Sequence, residues 1–300
     1  MDPRSAGLEP DRAEPATDRR DGADSPRGTQ VSLTLPRVVS LARAAHPGPV
    51  AAVTMLAAAL AAATELPVVR IILVTGAVLA GQLSIGWCND LVDRARDIRV
   101  GRRDKPLATG ELPIGWAQSA CLLAVVGTVA LSLLCGITAG LVHLGCVAAG
   151  WTYNLGLKST SLSWLPYALA FGGLPIFITL AEPGAGLPPL WLPFAGALLG
   201  VGAHLVNVLP DLADDEATGV HGLPHRIGER WTPVWAVMIL AAASVVIVIG
   251  SDSVPGVVVT PALLMVAALA GLALVTTGRA PFRAAIAIAF VDVIMLVVAR

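Results

Sequence analysis

Residues 68–97 read VVRIILVTGAVLAGQLSIGWCNDLVDRARD, and the fold turns on this stretch. Its first part, 68–88, carries a single charge, Arg70, and matches the roughly 20 residues that a helix needs to cross a bilayer core. From Asn89 to Asp97 the composition switches to Asp and Arg. An apolar span that runs into a cluster of acids describes a membrane helix with a chemical site at one end. Outward from it, comparable apolar segments recur at 48–65, 115–133, 136–153, 162–180, 190–209, 232–250, 256–276 and 282–299. The expected fold is therefore all-α: a polytopic membrane protein of about nine transmembrane helices around a central cavity. The segments are rich in Ala, Gly, Leu and Val, and small residues let helices pack closely where lipid removes the hydrophobic drive for association. A soluble helical protein would show polar faces at helical spacing, which these segments lack.

The whole chain agrees. Of its 300 residues 55% are apolar and 14% charged, with a mean hydropathy of +0.75. A soluble domain is about 45–50% apolar and about 25% charged. The net charge of -1 gives no footing for a nucleic-acid partner. Residues 1–34 open with a Pro-, Asp- and Arg-rich run that cannot bury enough surface to offset chain entropy, so they read as a disordered tail preceding a membrane domain over 35–300. With that tail inside, the connections on its side carry Arg94, Arg96, Arg99, Arg102, Arg103, Lys105, Lys158, Arg226, Arg230, Arg279 and Arg283, against Arg70 alone opposite. The positive-inside rule then puts the N-terminus and both acidic loops in the cytoplasm.

The acids are concentrated. Of the 14 beyond residue 30, ten fall in 89–114 and 207–231. In the first stretch Asn89, Asp93 and Asp97 recur every fourth residue and share a helix face, with Asp90 beside them. Such oxygen-bearing side chains suit a hard divalent cation, and Mg²⁺ commonly binds through one or two carboxylates plus substrate phosphates. Arg102, Arg103 and Lys105 follow in an irregular loop and can hold diphosphate oxygens. The second stretch offers Asp211, Asp214, Asp215 and Glu216 after the sixth span. Two acidic helix ends on one side suggest facing sites, in which bound cations stabilise a departing diphosphate.

These residues resemble the UbiA superfamily of intramembrane prenyltransferases. Asn89-Asp90-x-x-Asp93-x-x-x-Asp97 matches the family pattern NDxxDxxxD, and Lys105-Pro106-Leu107 with Gly110 is similar to the stretch that follows it, with Lys in place of Arg. Tyr153 and Lys158 resemble a tyrosine and lysine found after the fourth span. The second family pattern, DxxDxxxD followed by Gly and Leu-Pro, matches in part. Aligned on Gly219 and Leu223-Pro224, it puts Asp211 and Asp215 on the second and third acids and Val208 on the first; aligned on Asp211 and Asp214, it leaves Thr218 in third place.

The resemblance implies Mg²⁺-dependent transfer of a prenyl group from an isoprenoid diphosphate to a lipophilic, often aromatic acceptor within the bilayer. It implies Asp90, Asp93 and Asp97 on one metal and Asp211 and Asp215, with Asp214, on another. Asn89, Arg102, Arg103, Lys105 and Lys158 then serve the diphosphate, and Tyr153 faces donor or acceptor. The alternative on the same scaffold is a terpene cyclase, which ionises the donor and closes the cation without an acceptor. A transporter would need charged or broken helices at the bilayer midplane, whereas these acids gather at one surface.

The remaining polar residues read more plainly. His204 and Asn207 share a helix face with Asp211 and can orient an acceptor or simply bond a neighbouring helix. His143 and Asp292 are lone polar groups at membrane depth, the latter read as hydrogen-bonded rather than catalytic. Cys88, Cys121, Cys135 and Cys146 lack metal-ligand spacing and read as buried apolar residues.

Overall fold

A computed structural model of the chain describes residues 29–217, 219–251, 255–276 and 278–299. It is all-helical among those residues: α1 (Thr29–Ala44), α2 (Pro47–Ala62), α3 (Val68–Arg99), α4 (Pro106–Thr109), α5 (Ile114–Leu134), α6 (Ile137–Asn154), α7 (Leu165–Leu180), α8 (Trp191–Val208), α9 (Leu212–Ala217), α10 (Leu223–Ile227), α11 (Thr232–Gly250), α12 (Gly256–Val275) and α13 (Arg279–Val298). Each of the nine apolar segments read from the sequence coincides with one of these helices. Six of them, α3, α5, α8, α11, α12 and α13, are long and apolar enough to cross a membrane. The bent pair Pro36–Ala44 and Pro47–Ala62, which turns by 67°, would make a seventh. The tail read over 1–34 lies outside the described residues as far as residue 28, and α1 begins at Thr29.

The helices close into a ring. α2 packs on α3, α3 on α5 and α6, α6 on α7, α7 on α8, α8 on α11, and α11 on α13, which returns to α2; α12 lies outside against α11 and α13. Buried Leu60, Phe177, Leu205, Leu240, Ile288 and Met295 belong to one continuous core between these helices. Lipid-facing positions stay apolar, as with Leu123, Ile249 and Phe290. At the end away from the acids, Arg70 Nη1 donates to the carbonyls of Ala181 (2.6 Å) and Cys135 (3.3 Å), which satisfies a lone cation by tying three helices together.

Two features position the acidic end. α3 has 32 residues, about 48 Å at 1.5 Å per residue, so it outlasts a hydrocarbon core of about 30 Å and carries its acids past the apolar layer. The joint between α1 and α2 lies against it. A side chain at Gly86 would collide with the Ala45 carbonyl, so glycine is what permits this approach. At that joint His46, followed by Pro-Gly-Pro, adopts the left-handed conformation (φ 58°, ψ 66°), the one positive-φ non-glycine among the described residues. That conformation costs an L-residue about 1–2 kcal/mol.

Candidate active site

The acidic face of α3 turns inward. Asp90, Asp93 and Asp97 are 1%, 6% and 2% exposed, so these charges are not a solvated helix end. Buried carboxylates need partners, and the partners come from distant parts of the chain. Asp90 Oδ1 receives Lys105 Nζ at 2.7 Å and lies 2.8 Å from His46 Nε2, while its Oδ2 is buried without a hydrogen-bond partner. Lys158 Nζ donates to both oxygens of Asp93 at 2.6 Å. Asn89 Nδ2 donates to Asn154 Oδ1 (3.1 Å), and Asn154 Nδ2 returns to the Ile85 carbonyl (2.9 Å), which locks α3 to α6.

Arg96 joins the two acidic stretches. Its guanidinium donates to Asp93 Oδ2 at 3.1 Å and lies 3.7 Å from both Asp97 Oδ1 and Asp215 Oδ1. The second stretch thus folds over the first, as two facing sites require. The side chains of Asp211 and Asp214 lie outside the described residues. Among the described residues no three His, Cys, Asp or Glu side chains converge as a ready-made metal cluster; the acids hold basic side chains instead.

Beneath the carboxylates lies an aromatic wall. Tyr153 from α6 meets Tyr167 from α7 edge-on (centroids 5.3 Å apart), and His204 from α8 lies 4.8 Å from the Tyr167 ring and 5.7 Å from Tyr153. Asn207 Nδ2 donates to the Tyr167 hydroxyl at 3.3 Å. His204 Nε2 lies 3.0 Å from Ser163 Oγ, which also accepts the Leu223 amide.

Other sequence expectations land elsewhere. Arg102 donates to Asp104 through Nε (2.9 Å) and Nη2 (2.8 Å), holding that carboxyl down at about 2, and Arg103 is exposed. Asp292 in α13 accepts from Ser244 of α11 at 2.5 Å, so it serves helix packing away from the acids. Four residues that the sequence reading passes over stand in the site: His46, Arg96, Asn154 and Tyr167. Only Arg96 left a signal, its place among the acids of one helix face, and there the positive-inside rule already accounts for it.

The UbiA prenyltransferase family model matches residues 50–294, which takes in this bundle and both acidic stretches. The chain belongs to the UbiA prenyltransferase family. None of the curated proteins matches it by sequence. Its fold is shared with solved members and relatives of that family. A structure of digeranylgeranylglyceryl phosphate synthase superposes with a TM-score of 0.66 at 16% identity, over 88% of this chain and 98% of the other. A UbiA homolog from Archaeoglobus fulgidus bound to GPP and Mg²⁺ gives 0.64 at 16%, over 87% and 100%. The apo UbiA homolog from Aeropyrum pernix K1 gives 0.64 at 17%, over 87% and 98%. At such identities the likeness is one of fold.

Proposed function

We propose that this UbiA-family chain ionises an isoprenoid diphosphate at its acidic end and transfers the prenyl group to a lipophilic, aromatic acceptor inside the bilayer. The observation that carries the reading is the meeting of both acidic stretches around basic side chains, with Arg96 touching Asp93, Asp97 and Asp215. A site that alternates carboxylates with Lys and Arg suits a ligand made of phosphate oxygens and cations. The A. fulgidus homolog bound to GPP and Mg²⁺ supports the same ligand class.

The donor set fits Mg²⁺: every acid is a hard oxygen ligand, and Asp90 Oδ2 is a buried oxygen without a partner. Asp90, Asp93 and Asp97 hold one ion, with Asp211, Asp215 and Asp214 on a second. Bound Mg²⁺ neutralises the charge that develops on the departing diphosphate. Lys105 and Lys158 exchange their carboxylate partners for phosphate oxygens, Arg96 adds donors between the two acidic stretches, and Arg102 and Arg103 add donors at the rim. Asn89 keeps α3 in register with α6. Tyr153 and Tyr167 present ring faces to the allylic cation, where aromatic quadrupoles favour positive charge. His204 and Asn207 orient the acceptor. Nine crossings, with the N-terminus and acidic loops cytoplasmic, complete the arrangement.

A terpene cyclase on the same site is the second reading. It is favoured by Val208, a buried apolar residue where one alignment of the second family pattern has its first acid. Purified protein in nanodiscs, given Mg²⁺ and geranyl or farnesyl diphosphate with and without lipophilic phenols, separates the two. Transfer predicts acceptor-dependent diphosphate release and prenylated phenol; a cyclic hydrocarbon formed without acceptor would establish the cyclase, and no release with any donor would remove both.

A further inference from the structure

Between α2, α3, α6 and α7 lies a small, partly open chamber with about 40 Å³ of free space, lined by Val78, Gln82, His143, Cys146, Phe171 and Leu174 among others. A single water needs roughly 10–15 Å³ by the same kind of measure, together with polar partners. Gln82 precedes Asp90 by eight residues on α3, which puts the chamber about 12 Å below the carboxylates. His143 is 4% exposed. Its ring stacks on Phe177 (centroids 4.5 Å, 22° between planes), so its orientation is fixed.

Hydrogen-bond accounting fixes its tautomer as well. Ser132 has one hydroxyl proton, and that proton goes to the Thr128 carbonyl at 2.5 Å. The 2.7 Å contact between Ser132 Oγ and His143 Nδ1 therefore has the ring N–H donating and the serine oxygen accepting. Nε2 is left as a bare lone pair, and no described side chain or backbone group bonds it. A side chain at Gly81 would put its Cβ 3.5 Å from Nε2; glycine leaves that edge uncovered.

The geometry points to a binding site for a hydroxyl group: the bare Nε2 of His143 and the amide of Gln82 receive an O–H donor, either from a bound lipophilic alcohol or as one trapped water. An anion is disfavoured, since the lining holds no Lys or Arg and a lone pair faces the space. A plain hydrocarbon tail leaves the buried His143 lone pair without a donor, which is unfavourable. The site stands independently of the diphosphate reading.

The test is ¹⁵N NMR on histidine-labelled protein in nanodiscs, with the His143 signals assigned by their loss in His143→Phe, a change that keeps the stacking on Phe177. Samples are ligand-free, with farnesol, and with farnesene as the matched hydrocarbon. A protonated Nδ1 and an Nε2 that moves to its hydrogen-bonded position with farnesol alone identify the hydroxyl of a lipophilic alcohol as occupant. An Nε2 already hydrogen-bonded without ligand identifies water. A proton on Nε2, or an Nε2 bare in all three samples, overturns the proposal. Gln82→Leu, which leaves the His143 ring in place, weakens the farnesol response if the amide shares the site. Failure of farnesyl diphosphate to bind with Mg²⁺ would instead sink the diphosphate reading, and it leaves these signals unchanged.

Discussion

Arg96 and Asp215 lie 3.7 Å apart, bringing the C-terminal end of α3 against α9. Because Arg96 also donates to Asp93 at 3.1 Å, one guanidinium holds the two acidic stretches at a common centre. Hydrogen bonds to charged groups contribute about 1.5–3 kcal/mol. Arg96→Met is therefore expected to raise KM for a prenyl diphosphate by about ten- to a hundredfold, measured by diphosphate release at saturating acceptor. An unchanged KM would mean that Arg96 does not reach the ligand.

His46 separates strain from function. Glycine takes the left-handed conformation freely, so His46→Gly relieves the cost at the α1–α2 joint while removing the contact with Asp90. Thermal unfolding in detergent is expected to stay level or rise, with turnover falling by about tenfold. His46→Ala keeps the strain and loses the contact, and is expected to lower both. Full activity in His46→Gly would contradict a role at Asp90.

Lys158 gives both ammonium contacts of Asp93 at 2.6 Å. Lys158→Met leaves the buried Asp93 with Arg96 as its cationic partner, so Mg²⁺ is expected to bind more tightly in the absence of diphosphate while diphosphate affinity drops. Calorimetric titration with Mg²⁺ alone and with added inorganic diphosphate reads the two effects apart. Weaker Mg²⁺ binding in the variant would show that the lysine supports the metal site instead of occupying it.

Asp292 and Ser244 join α11 to α13 well away from the acids. Asn accepts the same hydrogen bond, so Asp292→Asn is expected to retain activity and to change thermal stability by less than about 1 kcal/mol. Asp292→Lys places an unpaired cation at a fully buried position and is expected to prevent folding. Activity loss in the Asn variant with stability intact would give Asp292 a part in the chemistry.

What the sequence conveyed follows from the physics of each signal. The spans were legible because lipid demands long apolar runs, and the first acidic face because Asn89, Asp93 and Asp97 recur at helical spacing. Lys105 was read from its charge in the loop after the first acids and Lys158 through family resemblance, and both reach the acids. Arg102 was assigned to diphosphate on its charge, yet Asp104 two residues away already engages it through two hydrogen bonds. His46 gave no signal, since a histidine before Pro-Gly-Pro carries no spacing that relates it to Asp90. Asn154 was hidden for a related reason: a partnership between helices leaves no periodicity in either one. The second acidic stretch stays ambiguous between two alignments because Val208 and Thr218 interrupt the pattern in different registers.

The central claim is that these carboxylates ionise a prenyl diphosphate with the help of bound Mg²⁺. The most direct measurement is diphosphate release from geranyl or farnesyl diphosphate by protein in nanodiscs, stripped with EDTA and then resupplied with Mg²⁺, in wild type and in Asp93→Asn. The account predicts release that vanishes with EDTA, returns with Mg²⁺, and falls by at least about a hundredfold in the variant, the scale expected when a group that stabilises transition-state charge is lost. Release that survives EDTA, or that Asp93→Asn leaves unchanged, would contradict it.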